Sequence, residues 1–333
     1  MKMYYFKTLV LALIILITGC NSQKHKLIEV KVASGGHLTH FLPFDLANQL
    51  GYFKEKGLKV NTFYLKGGSA TAQALISGQA DFSTNSIDHA FKSAAQGKSN
   101  LRMVVLMNQT PGMVLVVSSK LKSKIKSISD LKGLSLGVTS KGSASHMVLA
   151  YLLYKNGVSP DSVTIFNAGA STFSSALKHG KIDGGIALEP FASKMVEDGD
   201  AFVLQSLITK EETNKVFEGP YNLAGILTTK EYMENHSDAV EGFVTAIVKG
   251  LKYIQTHTPE EIAKVLPAEI VGTNKELYIE TLKKLNGFYS PDGYIDPIGV
   301  KNVYNSLIKS GEIRDDKNIN VKSFYTNKYV KKN

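Results

Sequence analysis

The sequence predicts an α/β protein of two similar lobes, each an open parallel-type sheet with flanking helices, joined by a hinge. A stretch at Gly67–Asp81, GGSATAQALISGQAD, recurs at Gly169–Asp183 as GASTFSSALKHGKID. Upstream of the two copies, VASGG at Val32–Gly36 corresponds to VTSKG at Val138–Gly142. Strands that alternate with helices in short units form parallel sheets with helices on both faces. Two such halves on one chain predict two lobes with a cleft between them.

Length and composition permit this organisation. The chain has 333 residues, of which 43% are hydrophobic and 20% are charged. This length suits two domains of ordinary size, and the hydrophobic content allows each of them to bury a core. The single cysteine, Cys20, has no partner in the chain for an internal disulfide.

The net charge of +10 raises the question of nucleic-acid binding. The lysines from Lys120 to Lys126 alternate with leucine, isoleucine and serine, which is typical of a solvated edge. They lack the interleaved aromatic residues on which single-stranded nucleic acids stack. The basic group from Lys322 to Lys332 has tyrosines nearby, but a basic tail is the simpler explanation. We therefore expect no nucleic-acid partner.

The N-terminus has the pattern of an export signal. Basic residues precede an apolar run, Leu9–Ile17, that is too short for a transmembrane helix of ~20 residues. Small residues follow, and Ile17-Thr18-Gly19-Cys20 resembles a bacterial lipobox. We predict a signal peptide over residues 1–19, lipidation of Cys20, and a tether over residues 20–27. The alternative is a chance cysteine in an ordinary signal or anchor.

The first half of the chain predicts strands and helices in alternation. Ile28–Ala33 alternates in hydropathy, which predicts a strand, and the apolar face of His37–Lys56 predicts a helix that Gly57 ends. Ser69 is a candidate N-cap for the helix in the repeated stretch. The remaining predicted elements are strands over Leu58–Leu65, Phe82–Ser86 and Leu101–Met107, and a helix that ends at Gln96.

The second half repeats this order after a break at Gln109–Gly112. Met113–Val117 is wholly apolar, which predicts a buried strand that crosses to the second lobe, and Leu223–Thr228 predicts a strand that returns. The C-terminal helices are expected to brace the first lobe. The other predicted strands are Leu134–Val138, Val163–Phe166 and Gly184–Leu188, and the helices are Ser143–Lys155, Ser171–His179, Thr229–His257, Leu277–Phe288 and Ile298–Ser310.

Two breaks in the pattern, near residues 108–113 and 219–226, isolate the middle of the chain. They predict lobe 1 over residues 28–112 and 227–333, and lobe 2 over residues 113–226. A lobe inserted into another by two crossings is a hinge architecture. Two independent domains in tandem are the alternative.

Small hydroxyl and amide residues are concentrated in the loops that follow the strands. At the carboxyl ends of strands in an open sheet, such loops and helix N-termini converge on a ligand. The first N–H groups of each helix have no intrahelical partner, so together they can hold an anion. The alternative is that each hydroxyl only caps its helix. The candidate ligand-binding residues from these loops are Ser34, His37, Ser69, Asn85, Gln109, Ser143 and Ser145.

Glu189 is a further candidate, because it ends a buried strand beside Pro190. Its carboxylate could accept a hydrogen bond from an amino or amide group of the ligand. A solvated strand end is the alternative.

The sequence does not favour catalysis, a metal or a cofactor. It has no GxSxG motif and no cysteine nucleophile in the predicted fold. Gly137–Gly142 has the glycine spacing of a phosphate loop, but Ser143 stands where the lysine should be. His37, His40, His146 and His179 could supply metal ligands, but zinc sites need three or four ligands, and loop or surface positions explain these histidines. We predict no metal and no cofactor.

Several of these motifs together resemble the nitrate/sulfonate/taurine and thiamine-precursor binding family of ABC importers. They are GYFKEKGLKV, the GGS turn with ALISGQADF, DLKGLSLGVTSKGSASHMVLAYLL and ALKHGKIDGGIALEP, and they span most of residues 30–195. The resemblance implies a type II periplasmic-binding fold. It places Ser143 and Ser145 at the anionic head of the ligand, and Glu189 where taurine-binding members meet the amine. The chain has no tryptophan, which is common near the ligand in several members. It also lacks the cysteine-rich signature of the yeast pyrimidine synthases, which argues against that enzymatic branch.

The resemblance implies an extracytoplasmic substrate-binding component of an ABC importer, which captures a small anionic, sulfonate-, taurine- or nitrate-like solute. Its expected partners are a permease, an ATPase and the membrane that holds its lipid anchor, and it is expected to be a monomer. The alternatives are binding of a thiamine pyrimidine precursor or another small heterocycle, and an enzyme or sensor domain that reuses the fold.

Overall fold

The computed structural model describes residues 26–98, 100–315 and 319–331. The predicted signal peptide, Cys20 and most of the predicted tether lie outside these residues. The strands are β1 (Ile28–Ser34), β2 (Leu58–Tyr64), β3 (Phe82–Ser86), β4 (Leu101–Leu106), β5 (Met113–Ser118), β6 (Ser135–Val138), β7 (Thr164–Asn167), β8 (Gly184–Leu188), β9 (Ala201–Leu207) and β10 (Ala224–Thr229).

Helices alternate with these strands and fill the C-terminal third. They are α1 (Leu42–Gln49), α2 (Tyr52–Glu55), α3 (Gly67–Ile76), α4 (Asp88–Ala95), α5 (Ala144–Lys155), α6 (Phe173–Lys178), α7 (Phe191–Glu197), α8 (Lys210–Phe217), α9 (Lys230–Asn235), α10 (Ser237–Thr256), α11 (Pro259–Val265), α12 (Ala268–Val271), α13 (Lys275–Lys284) and α14 (Pro297–Lys309). Short 3-10 turns span Thr39–Phe41, Ser119–Leu121, Ile128–Leu131, Pro160–Ser162 and Val321–Phe324. The strands predicted from the sequence are all present. The sequence prediction missed β9, α7 and α8.

The strands form two five-stranded sheets, one in each lobe. The strand order is β2-β1-β3-β10-β4 in the first sheet and β7-β6-β8-β5-β9 in the second. The two orders are equivalent, because the fourth position in each is filled by the strand that follows a crossing of the chain. The prediction of an α/β fold with two similar lobes is confirmed.

Both sheets are mixed, which corrects the expectation of parallel-type sheets. β10 runs antiparallel to β3 and β4, and β5 runs antiparallel to β8 and β9. The other pairs, β1 with β2 and β3 and β6 with β7 and β8, are parallel. A chain that crosses from the carboxyl end of one sheet enters the next sheet at its carboxyl end. The entering strand must therefore run against its neighbours.

The first lobe has its core between its sheet and α10. The ring of Phe243 on α10 stacks on Phe82 of β3, with ring centroids 4.0 Å apart, and lies 4.6 Å from the ring of Phe53. Gly250 brings α10 against α1, because a Cβ at this position would lie 2.2 Å from the Pro43 carbonyl oxygen. The helix predicted over Thr229–His257 is interrupted at His236, where α9 ends and α10 begins.

Three chain segments run side by side between the lobes. The Met107 and Asn108 amides donate to the Ala224 carbonyl, and the Gln109 amide donates to the Phe288 carbonyl. The first crossing turns at Gly112, whose φ of +60° favours glycine. The segment around Phe288, which the sequence predicts only to brace lobe 1, also lies along this crossing. The exact lobe boundaries stay a prediction.

The helix α14 contacts both lobes. It packs against α4 of the first and α5 of the second. On the second crossing, the Tyr221 hydroxyl lies 2.7 Å from the Ser306 hydroxyl of α14 and 3.8 Å from the Met147 sulfur of α5. The expectation that the C-terminal helices brace the first lobe is therefore incomplete.

In the described part of the chain, no helix is both long and apolar enough to cross a membrane.

Candidate functional site

A cavity of about 820 Å³ lies between the two lobes. Pockets of roughly 300–1,000 Å³ are typical of small-molecule sites. Its walls come from loops at the carboxyl ends of the parallel strands in both sheets. The lining residues from lobe 1 include Gly35–Leu38, His40, Phe41, Leu65–Gly68, Thr84–Ser86, His89 and Glu269, and those from the other lobe include Met113, Thr139, Ser140, Ser143–Ser145, Asn167, Gly169–Thr172, Leu188 and Phe191.

Three hydroxyl groups form a cluster where α5 begins at the cavity wall. The Oγ atoms of Ser143 and Ser145 and the Oγ1 of Thr139 lie 2.9 Å from one another, and Ser145 Oγ also accepts from the Thr139 amide. Ser143 holds the N-cap position, but no side chain of the described residues caps the helix. The first N–H groups of α5 therefore remain available at the wall.

A second helix, α3, begins on the facing wall. It starts at Gly67, and no described side chain caps it. The prediction that Ser69 is its N-cap is wrong, because Lys66 holds that position and Ser69 lies in the first turn. Ser69 is not among the lining residues, and its Oγ would lie 3.4 Å from a Cβ placed on Gly142 in the opposite lobe.

Gly68, also in the first turn of α3, lies against Asn85 and His89. A Cβ on Gly68 would lie 2.7 Å from His89 Cε1 and 3.0 Å from Asn85 Oδ1. The Asn85 side-chain amide donates to the Gly68 carbonyl at 3.0 Å and to Thr71 Oγ1 at 2.9 Å. Asn85 lines the cavity and at the same time fixes the start of α3.

His89 belongs to no motif in the sequence that would mark it as a site residue. It is buried in the wall, and among the described residues its Nε2 has no hydrogen-bond partner. Its Nδ1 lies 3.3 Å from both Asp88 Oδ1 and Ser86 Oγ, and Ser86 Oγ donates to the same Asp88 oxygen. Burial would raise the pKa of Asp88, but His89 and Lys92 outweigh it and hold this pKa well below its usual range.

This Ser–His–Asp set does not have the arrangement of a nucleophilic relay. In such a relay the imidazole contacts serine through one nitrogen and aspartate through the other. Here Ser86 and Asp88 both lie at Nδ1 of His89. The set therefore orients the imidazole and does not activate the serine.

His37 lies in the wall with its Nδ1 3.0 Å from Asp45 Oδ1. Its ring contacts the ring of Tyr64, with centroids 4.7 Å apart. The hydrogen bond to Asp45 raises the pKa of His37, which favours an imidazolium in the cavity. Asp45 is buried, and in the described chain its Oδ2 has no hydrogen-bond partner, so His37 is its main counter-charge.

His40 is a second buried wall residue, and its tautomer follows from its contact. Its Nε2 lies 2.8 Å from the Pro111 carbonyl, which can only accept, so Nε2 carries the proton. Burial lowers the pKa of His40 to about 4, so the ring is neutral and Nδ1 is an acceptor. Within the described residues this Nδ1 has no partner.

The remaining sequence candidates lie outside the lining residues. Ser34 Oγ accepts from Thr84 Oγ1 at 2.8 Å. The Gln109 side-chain amide donates to the carbonyls of residues 287 and 289. The Glu189 carboxylate accepts from the Ser193 amide and hydroxyl, at 3.0 and 2.9 Å, so it supports the start of α7. The structure thus brings His37, Asn85, Ser143 and Ser145 to the cavity wall and gives Ser34, Gln109 and Glu189 partners within the protein.

The architecture and the cavity define the class first: this is a two-lobe protein with the periplasmic-binding-protein fold, which has its cavity between the lobes. The NMT1/THI5-like family matches residues 38–262, and the chain belongs to this family.

Known relatives extend along most of the chain. YtlA of Bacillus subtilis (strain 168), named as a proposed binding protein, is 27% identical over 297 residues, which cover 87% of this chain and 86% of YtlA. A solved structure from Bordetella bronchiseptica RB50 is 27% identical, has a TM-score of 0.84, and covers 91% of this chain and 96% of its own.

More distant structures share the fold. The alkanesulfonate-binding protein SsuA from Xanthomonas axonopodis pv. citri, bound to MOPS, has a TM-score of 0.72 at 18% identity, over 90% of this chain and 99% of that one. The desulfurization enzyme DSZB has a TM-score of 0.62 at 12% identity, over 91% and 97%. The fold therefore serves both binding proteins and an enzyme.

Proposed function

We propose that this chain is the solute-binding component of an ABC importer and captures a small anionic ligand of the sulfonate, taurine or nitrate kind between its lobes. The proposal rests on the arrangement of helix starts and hydroxyl groups in the wall of the cavity. Two helices from different lobes begin there without a side-chain cap among the described residues, beside a cluster of three hydroxyls. Helix starts and hydroxyl groups stabilise an anion without a full counter-charge. The His37 imidazolium would add a charged donor in the same cavity.

The volume of the cavity favours an organic anion over nitrate. A cavity that holds a single water molecule needs a volume of only about 10–15 Å³, whereas the volume of this cavity is about 820 Å³. Nitrate has four heavy atoms and would leave most of it to water. An organosulfonate would also cover the apolar wall residues, such as Phe41, Leu65 and Phe191.

A second candidate ligand is a small heterocycle that carries N–H donors, such as a thiamine pyrimidine precursor. His40 favours it, because its buried Nδ1 can only accept a hydrogen bond. An amino group would satisfy this acceptor, whereas a sulfonate would not.

A thermal-shift screen on the protein lacking residues 1–20 tests both candidates. The panel holds MOPS, taurine, small alkanesulfonates, nitrate, carboxylates and aminopyrimidines. A ligand at 100 times its Kd should add ~2.7 kcal/mol to the free energy of unfolding. Calorimetry on the hits, with Lys59→Met as a surface control, should give one site per chain. A panel in which nothing shifts the melting temperature would oppose the proposal.

We also propose that the protein leaves its ligand unchanged. The arrangement of Ser86, Asp88 and His89 supports this, because both oxygens lie at the same imidazole nitrogen. Mass spectrometry of a bound ligand recovered after long incubation should show the starting compound. Turnover that is lost in His89→Gln would instead support the enzyme alternative.

We further propose that the protein is exported and attached to the membrane through a lipid on Cys20. It would dock as a monomer on a permease that an ATPase drives. The Ile17-Thr18-Gly19-Cys20 motif supports the anchor. Cys20→Ser should abolish metabolic labelling with a fatty acid and cause the precursor to accumulate. Unchanged labelling would contradict the assignment.

A further inference from the structure

Gly142 is the residue on which the lobe 2 wall of the cavity turns into α5. Its φ of +81° is a left-handed conformation, and Ser143 of the hydroxyl cluster follows it directly. Side chains hold both polar groups of this glycine. The Gly142 amide donates to His146 Nδ1 at 3.2 Å, and its carbonyl accepts from Lys92 Nζ at 3.0 Å. The position of Ser143 therefore depends on a lysine that belongs to the other lobe.

Lys92 also holds the opposite wall. Its Nζ lies 3.2 Å from Asp88 Oδ2, and Asp88 in turn orients the imidazole of His89. Asp88 is wholly buried, and the Lys92 side chain is 14% exposed. A buried carboxylate that loses its counter-charge is strongly destabilised, so this pair is not interchangeable with a surface ion pair.

Glu312, which follows α14, completes the group. Its Oε2 lies 3.2 Å from Lys92 Nζ, and its Oε1 lies 3.5 Å from His146 Nδ1. The charged or titratable side chains around the Gly142 turn are Asp88, His89 and Lys92 on α4, Lys141 in the turn, His146 on α5, and Glu312. One ammonium thus lies between a carboxylate of the α4 wall, a carboxylate that follows α14, and a backbone carbonyl of the lobe 2 wall.

We infer that Lys92, supported by Glu312, is a positioning residue. It fixes the Gly142–Ser143 turn relative to the Asp88–His89 pair, so that both walls of the cavity contact the ligand at the same time. Only the effect on ligand recognition rests on the proposed function. The positioning of the turn is a property of the protein without ligand.

His146 reports on this arrangement without any ligand. Burial lowers the pKa of His146, Glu312 opposes this shift, and Lys92 and Lys141 add to it. Lys92→Met should therefore raise the pKa of His146, and Glu312→Gln should lower it further, as measured by NMR titration of the imidazole. Protonation of Nδ1 would displace the Gly142 amide, so the protection of this amide from hydrogen exchange, relative to its intrinsic rate at each pH, should fall below the pKa of His146. A role in stability alone would not give opposite shifts in the two variants.

Ligand binding is tested with MOPS as the probe, and its affinity is measured by calorimetry. A hydrogen bond to a charged group corresponds to roughly tenfold to a hundredfold in affinity, and we expect Lys92→Met to weaken MOPS binding by at least the lower of these factors. Lys155→Met is the matched control. Lys155 also donates to a backbone carbonyl and pairs with Glu218 at 3.5 Å, but within lobe 2. This control should leave the MOPS affinity, the pKa of His146 and the hydrogen exchange at Gly142 unchanged.

Lys92→Met leaves the buried Asp88 carboxylate without its ammonium partner, so the double variant Lys92→Met with Asp88→Asn provides a neutral wall in case the single variant does not fold. An unchanged titration of His146 and unchanged exchange at Gly142 in the folded variants would overturn the inference. If the His146 titration and the Gly142 exchange change but the MOPS affinity does not, the role of Lys92 in ligand recognition would be overturned. If MOPS and the whole panel fail to bind the unmodified protein, the proposed function fails, and the ligand-free signals still decide whether Lys92 positions the turn.

Discussion

Ser143→Ala separates ligand recognition from stability at the start of α5. The Ser143 hydroxyl is buried and lies 2.9 Å from both Thr139 Oγ1 and Ser145 Oγ. When it is removed, these two partners still lie 2.9 Å from each other. No helix cap is lost, because the Ser143 side chain does not cap α5. We therefore expect the free energy of unfolding to fall by only ~1 kcal/mol.

The affinity for an anionic ligand should fall much more. A hydrogen bond to a charged group contributes about 1.5–3 kcal/mol, which is roughly tenfold to a hundredfold in Kd. Calorimetric titration with the best anion of the screen measures this change, and denaturant melts of the same variant measure stability. Ser145→Ala is the comparison variant, because it also leaves the Thr139 amide unpartnered and should cost more stability, about 1–3 kcal/mol. Intact affinity in Ser143→Ala would refute the assignment of the anion to the start of α5.

Two further predictions concern His37 in the cavity wall and Gly112 at the first crossing. In Asp45→Asn the pKa of His37 should fall towards or below ~6.5, as measured by NMR titration, because the hydrogen bond to Asp45 raises it. Since the folded-state pKa of His37 is raised, its stabilising contribution is fully present below pH ~6.5 and is lost as pH rises through the folded-state value. An unchanged His37 titration would contradict this. Gly112→Ala should destabilise by about 2–5 kcal/mol in denaturant melts, because it combines a left-handed φ with a Cβ that would lie 2.2 Å from the Phe288 ring. Gly157→Ala, with a similar φ of +67° and open space, should lose only ~1–2 kcal/mol, and equal losses would show that the Phe288 contact is unimportant.

Local pattern was sufficient to place most elements of the fold. The recurrence of Gly67–Asp81 at Gly169–Asp183 indicated two similar halves, and the observed strand orders are equivalent in the two sheets. The apolar run Met113–Val117 indicated a buried strand, and β5 is buried along its length. Hydropathy with a period of two or 3.6 residues reflects which face of an element meets the core, so it can be seen in a single sequence.

Tertiary contacts decided what pattern could not. The antiparallel entry of β5 and β10 depends on the end from which the chain enters each sheet, and hydropathy does not encode direction. The strand β9 was missed for a different reason: it lies at a sheet edge, so its side chains are only partly buried.

The candidate site divides in the same way. The glycine and hydroxyl turns indicated where ligand-facing loops lie, and His37, Asn85, Ser143 and Ser145 do line the cavity. Glu189 looked equally suitable, but the fold places the Ser193 amide and hydroxyl within reach of its carboxylate. His89 and Lys92 have no distinguishing sequence motif, and the contacts that bring them into the site, with Gly68, Gly142 and Glu312, come from distant segments of the chain. Local periodicity and turn chemistry are enough to indicate the two similar lobes and their ligand-facing loops. Which loops face one another across the cavity depends on the tertiary structure, because contacts such as His40 with Pro111 and Lys92 with Gly142 are set by packing between distant segments.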